Sequence, residues 1–218
     1  IMVNSPCNPT GAVYTREEIE EIVSIAIEHD LWIISDEIYS RLIWNGGEHV
    51  SPATIEGGKE RTIVISGWSK TWAMTGMRVG FLAGPEQAVR AAVKCQANSA
   101  SHIPTFMMEA ARVALDCDDH VERFSDAYRH RRNLIVQGLE DIPGLRIVNP
   151  EGAFYLFIDV TGTGMSDVQF ADGALKAGVQ LIPASLITGG EGFIRVSYAA
   201  SEEDIKEGIN RLRSWLLE

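Results

Sequence analysis

The sequence predicts an α/β domain followed by a smaller α+β domain. Three observations carry that reading. Short, continuous apolar runs at residues 31–34, 62–65 and 79–83 each close in polar or turn residues, which suits strands buried on both faces of a parallel sheet. An amphipathic helix with its own start signal separates the first strands, giving the strand–helix–strand order of α/β proteins. After Pro143-Gly144 the texture changes to short strands with single helices between them.

The elements follow in order. Ile1-Met2-Val3 reads as the middle of a buried strand that runs straight into a Pro/Asn/Gly turn region at 4–11. No cap or turn precedes it, so the chain is expected to be a portion lacking its N-terminal part. Thr15-Arg16-Glu17-Glu18 forms a capping box. It opens a helix with Ile19, Ile22, Val23, Ala26 and Ile27 on one face. The strand at 31–34 ends in Ser35-Asp36-Glu37, the strand at 62–65 ends at Ser66, and the run at 79–83 is closed by Gly84-Pro85. Residues 86–138 read as helical, with breaks at Pro104 and at 116–119. Strands are expected at 145–148, 154–159, 179–182 and 193–198, and a helix at 166–176. A closing helix runs from a Ser201 cap through Ile205, Ile209, Leu212 and Leu216. The domains are expected to be 1–115 and 116–218.

Composition narrows the function classes. Apolar residues make up 45% and charged residues 22%, which places the chain among folded rather than disordered sequences. A net charge of -11 argues against a nucleic-acid or anionic-membrane partner. Cys7, Cys95 and Cys117 are odd in number and lack CxxC spacing, so neither a disulfide framework nor a zinc site is indicated. A reducing, cytoplasmic setting fits. His29, His49, His102, His120 and His130 show no metal-ligand spacing, and there is no apolar run of about 18 residues to span a membrane.

Asn8, Asp36 and Lys70 each fall just after a strand, the place where ligands sit in α/β sheets. They belong to three local strings: Asn4-Ser5-Pro6-Cys7-Asn8-Pro9-Thr10-Gly11; Ser35-Asp36-Glu37-Ile38-Tyr39; and Ser66-Gly67-Trp68-Ser69-Lys70, continuing through Met74-Thr75-Gly76-Met77-Arg78-Val79-Gly80. A fourth is Phe193-Ile194-Arg195-Val196-Ser197-Tyr198. Taken singly, each has an ordinary reading: a turn, a helix cap, a solvated lysine, a surface strand arginine.

Together and in this order they resemble the fold-type I pyridoxal-phosphate (PLP) dependent aminotransferases of class I/II, of the aspartate-aminotransferase type, over essentially the whole chain. The resemblance implies the C-terminal part of a large, mostly parallel-sheet PLP-binding domain, then the small α+β C-terminal domain. It assigns Lys70 as the residue that holds the cofactor as an imine and, once freed, acts as general base. Asp36 keeps the pyridine nitrogen protonated. Tyr39 and Asn8 hydrogen-bond the phenolic oxygen, and the Asn8–Pro9 bond is expected to be cis. Arg78 binds the phosphate as a bidentate cation, and Ser69 adds a hydroxyl. Many relatives carry Ser three residues before the lysine; here Gly67 stands there and Ser66 one place earlier, which leaves the serine contribution open. Arg195 takes the substrate α-carboxylate, an orienting device, and Asn8 also binds substrate. Tyr155, in Gly152-Ala153-Phe154-Tyr155, lies in a stretch that lines the site in relatives. Trp68 and Trp72 shape either a pocket wall or the core.

The implied activity moves an amino group between an L-amino acid, aspartate-like or broad in range, and a 2-oxo acid by a ping-pong cycle. The implied assembly is a cytoplasmic homodimer. The resemblance places further site residues in an N-terminal half, so this chain is expected to be inactive alone. Two alternatives stay open: a PLP-dependent C–S β-lyase on the same scaffold, and a non-catalytic PLP-binding regulatory module.

Overall fold

A computed structural model describes residues 1–44 and 46–217. The chain divides into two units, Ile1–Pro6 with Val13–Phe124, and Cys7–Ala12 with Ser125–Glu218. The sequence-based boundary at 115/116 coincides with the turn before a long helix, whereas the division between units falls inside that helix. The helix is one continuous run, so its first turns group with one unit and the rest with the other. The loop Cys7–Ala12 groups with the second unit although its flanks belong to the first.

The first unit contains β1 (Met2–Asn4), α1 (Arg16–Glu28), β2 (Ile33–Asp36), β3 (Thr62–Gly67), β4 (Gly80–Ala83), α2 (Glu86–Ser99), α3 (Thr105–Ala114) and the start of α4 (Asp118–Leu139). Its sheet has the order β1-β2-β3-β4. The first three strands are parallel. Helix α1 starts where the capping box puts it: Thr15 Oγ1 accepts from Glu18 N at 3.3 Å, and Glu18 Oε2 accepts from Thr15 N at 2.8 Å. Its Ile19, Val23 and Ala26 pack with Val3, Ile33 and Val50 to form the core under the sheet. Ile27, expected on the same face, is largely exposed.

Strand β4 departs from the expectation of a parallel, doubly buried strand. It pairs antiparallel with β3, and its Phe81 and Leu82 remain 45% and 36% exposed. The reason lies in the connection. The connection, residues 68–79, contains no α-helix, only a one-turn 3-10 helix at Thr75–Met77, and a parallel return usually runs through a crossover helix. The chain therefore doubles back.

The second unit holds the rest of α4, then β5 (Arg146–Val148), β6 (Tyr155–Asp159), α5 (Asp167–Lys176), β7 (Ile182–Pro183), β8 (Phe193–Ser197) and α6 (Glu202–Leu217). Its sheet has the order β5-β6-β8-β7 and is antiparallel throughout. Leu156, Ile158, Ile194 and Val196 alternate along β6 and β8 and are buried, the period-two pattern of a sheet face packed on a core. Ile205, Ile209 and Leu212 of α6 are buried as their spacing predicts. Ser201 Oγ accepts from Asp204 N at 3.0 Å and starts that helix. Among the described residues no helix is long and apolar enough to cross a membrane.

Removing the α1 cap should cost about 1 kcal/mol. Calorimetry of Thr15→Ala should show a lowered Tm; an unchanged Tm would mean that tertiary packing alone holds this helix start.

Candidate active site

Strands β2 and β3 run parallel with Asp36 opposite Ile65, so their carboxyl ends open on the same edge of the sheet. Asp36 is the last residue of β2. It is half-buried, and its Oδ1 accepts from Ile38 N at 3.1 Å, an Asx turn that steers the chain out of the strand. Asn4 Nδ2 donates to the Asp36 carbonyl at 3.2 Å, tying the end of β1 to the end of β2. Three residues on, Tyr39 is buried at 3% exposure. The Lys70 amine lies 6.0 Å from the centre of the Tyr39 ring.

Lys70 sits in the closed connection between β3 and β4. Trp68 N donates to Val79 O, Met74 N to Trp68 O, and Ala73 N to Lys70 O, each at 3.2 Å. Trp68 anchors the loop: its Nε1 donates to Ala111 O at 2.9 Å, and its ring lies 5.8 Å from both Trp72 and Phe81. The two tryptophans thus pack together as a support for the loop. Ser69 is half-buried. Arg78 is exposed and adopts the left-handed region at φ 54, with Nη1 donating to Thr75 O at 3.0 Å. The fold therefore brings Tyr39 and Lys70 close together at the strand ends, with Asp36 ending β2 and Ser69 and Arg78 on the same connection as Lys70.

The departure at Gly67 has a steric cause. A Cβ there would lie 2.7 Å from Val79 O and 2.9 Å from Gly80 Cα, because the two antiparallel strands close against each other at this point. The hydroxyl of Ser66 is directed elsewhere, donating to Glu37 O at 3.2 Å.

Glu37 was missed by sequence reasoning. It is 8% exposed and follows Ile33 and Ser35 on the buried face of β2. Its Oε1 accepts from Ser35 Oγ at 2.9 Å and from Ser51 Oγ at 2.5 Å, and its Oε2 lies 3.0 Å from His49 Nε2. Its backbone N donates to Ile65 O at 2.8 Å. Burial pushes the carboxyl upward, but the contacts from His49, Ser51 and Ser35 outweigh it and hold Glu37 below the ordinary glutamate range. The available signal was period-two placement: Glu37 shares the parity of the buried Ile33, and Asp36 does not.

In the second unit the loop Cys7–Ala12 is closed by Gly11 N donating to Cys7 O at 2.8 Å and Cys7 N donating to Ala12 O at 2.9 Å. The Asn8–Pro9 bond is cis, as the resemblance implies, and so is Ser5–Pro6. Gly11 has φ +72, and its carbonyl accepts from Glu151 N and Gly152 N, both at 2.9 Å. A Cβ on Gly11 would fall 2.4 Å from Pro150 Cβ, so only glycine permits this docking. The docked loop presents Asn8 to β8: Arg195 Nη1 donates to Asn8 Oδ1 at 3.0 Å. The Arg195 guanidinium carbon lies 4.7 Å from the centre of the Tyr155 ring.

Known proteins resemble this chain in sequence and fold. A family model described as aminotransferase class I and II matches residues 1–212. An aromatic-amino-acid aminotransferase 2 from Thermococcus litoralis is 42% identical over 100% of this chain and 57% of its own length. An aspartate aminotransferase from Pyrococcus abyssi is 40% identical, again over 100% and 57%. Among solved structures, an aromatic aminotransferase from Pyrococcus horikoshii superposes with a TM-score of 0.95 at 41% identity, covering 99% of this chain and 59% of that one. The Thermus thermophilus aspartate aminotransferase with maleate gives 0.91 at 37%, covering 99% and 56%. The chain thus spans a little over half the length of the curated relatives it matches.

Gly67→Ser should lower stability by about 1–3 kcal/mol, read as a drop in Tm; a neutral result would show that β3 and β4 can separate at this point. Glu37→Gln tests the buried carboxylate. A carboxyl held lower in the folded than in the unfolded chain adds stability above about pH 4.3, and that stability is lost as pH falls through the folded value. Wild type should therefore lose Tm on acidification below that pH, and the Gln variant should lose less across the same window. Parallel Tm–pH curves would contradict this role for Glu37.

Proposed function

Since the chain belongs to the class I and II aminotransferases, we propose that it carries the lysine, carboxylate and arginine centres of a PLP-dependent transaminase. The reaction moves an amino group between an L-amino acid and a 2-oxo acid by a ping-pong mechanism. Members of this family depend on PLP. The observation that carries the reading is the Lys70 amine over the Tyr39 ring at the shared carboxyl edge of β2 and β3, where Asp36 ends β2. Both relatives named for aspartate and relatives named for aromatic amino acids match, at 40% and 42% identity, which supports an aspartate-like or broad range of amino donors. A cytoplasmic homodimer is part of the reading, as is typical of the family.

The donor set suits the cofactor chemically. An amine (Lys70) complements its aldehyde, a carboxylate (Asp36) its pyridine nitrogen, a phenol (Tyr39) and an amide (Asn8) its phenolic oxygen, and a guanidinium (Arg78) with a hydroxyl (Ser69) its phosphate. When bound, the group supplies an electron sink for negative charge at the substrate α-carbon. The remaining work falls to side chains of this chain. Asp36 would hold a proton on the pyridine nitrogen through charge and hydrogen bonding. Lys70 Nζ would act as the general base that takes the proton from the substrate α-carbon. Arg195, braced by Asn8, grips the α-carboxylate and fixes the direction of the breaking C–H bond.

An assay of the whole protein with aspartate or an aromatic amino acid and a 2-oxo acid tests this. Parallel double-reciprocal lines are expected, as is a loss of roughly 10²–10⁴-fold in Lys70→Ala. Release of pyruvate from a cysteine-type substrate without an acceptor would replace transamination by β-elimination. PLP binding without any turnover would leave the regulatory reading.

A further inference from the structure

Tyr155 opens β6, two residues before Phe157, which is the partner of Arg195 on β8. The backbone just ahead of it is unusual. Ala153 has φ 59, the left-handed region that a residue with a Cβ rarely adopts. Such a conformation persists only where the surroundings over-determine it, and it clusters at functional sites. Here the surroundings do so. Tyr198, fully buried and next after β8, donates from its hydroxyl to Ala153 O and from its backbone N to Phe154 O, both at 3.1 Å. On the other side Glu151 N and Gly152 N donate to Gly11 O, in the loop that carries Asn8. The Phe154 ring stacks on Tyr128 at 5.2 Å and lies 4.8 Å from Tyr155.

These restraints aim one ring. Tyr155 is 7% exposed, and the Arg195 guanidinium lies 4.7 Å from its centre, within cation–π range. Asn8 accepts from one Nη1 hydrogen, one of the five N–H donors of a guanidinium. The loop that supplies Asn8 and the strained turn that supplies Tyr155 are stitched to each other at Gly11, so the plane and one edge of the guanidinium are referenced to a single piece of backbone.

We propose that Tyr155 is a positioning residue for Arg195: its ring face holds the guanidinium plane so that the fork meets the carboxylate of an amino acid or 2-oxo acid. The identity of that carboxylate rests on the transaminase reading; the positioning does not. Calorimetric titration of the PLP-loaded protein with succinate and with 3-phenylpropanoate measures carboxylate affinity directly, alongside KM and kcat. Tyr155→Leu, and Tyr155→Met as a volume-filling variant should Leu fail to fold, should weaken the bound carboxylate by roughly tenfold. KM should rise by the same factor for amino and oxo acid, with the cofactor absorbance unchanged. Tyr155→Phe should restore wild-type affinity. Unchanged affinity in Leu and Met, equal loss in Phe and Leu, or no carboxylate binding by wild type would each overturn the proposal. A wild type that binds carboxylate in this Tyr155-dependent way yet transfers no amine would sink the transaminase reading alone.

Discussion

The register of β2 against β3 is the constraint on which the first unit's candidate site depends. With Asp36 opposite Ile65, alternate residues along β2 and the residue after it divide between two environments: Ile33, Ser35 and Glu37 are buried, while Asp36 stays half-open at the strand end. A slip of one residue would exchange the two sets, burying Asp36 and releasing Glu37. Two features resist the slip. Glu37 N donates to Ile65 O, and the Glu37 carboxylate has three partners waiting on the buried side, Ser35, Ser51 and His49. Leaving a buried carboxylate without such partners costs several kcal/mol (on the order of 3–5 when one member of a buried charge pair is removed). The polar knot therefore specifies register more than it adds to net stability, and register decides which carboxylate faces outward.

A comparable device operates in the second unit. The loop around Asn8 is docked through the carbonyl of Gly11, which accepts two backbone N–H groups from the segment leading into β6. The same segment carries the left-handed Ala153 and then Tyr155. A guanidinium proposed to grip a carboxylate needs a fork of fixed direction, since orientation is a large part of what such a residue contributes. Backbone hydrogen bonds, a missing Cβ and a buried tyrosine hydroxyl provide that direction here without any further charged group.

Much of this was legible in the sequence because the relevant rules are local. The Thr15–Glu18 box located the start of α1, and the apolar runs located β2 and β3 to within two residues. Four strings in fixed order were enough to suggest a family, which the match over residues 1–212 establishes. The rest depends on contacts between residues distant in sequence. An apolar run does not encode the direction of its strand, so the antiparallel β4 could not be read from 79–83. The Glu37 cluster joins residues up to 14 positions apart. The absence of a side chain at position 67 follows from how closely β4 approaches β3, a fact of pairing rather than of composition.

Of the five lysines in this sequence, Lys59, Lys70, Lys94, Lys176 and Lys206, Lys70 alone is expected to hold the cofactor. Incubation of the whole protein with PLP, reduction with borohydride and peptide mapping by mass spectrometry test it directly. The cofactor mass should appear on the peptide that contains Lys70 and on no other. A stable adduct on any of the remaining four, with Lys70 unmodified, would contradict the assignment and remove the basis for the site at the end of β2 and β3.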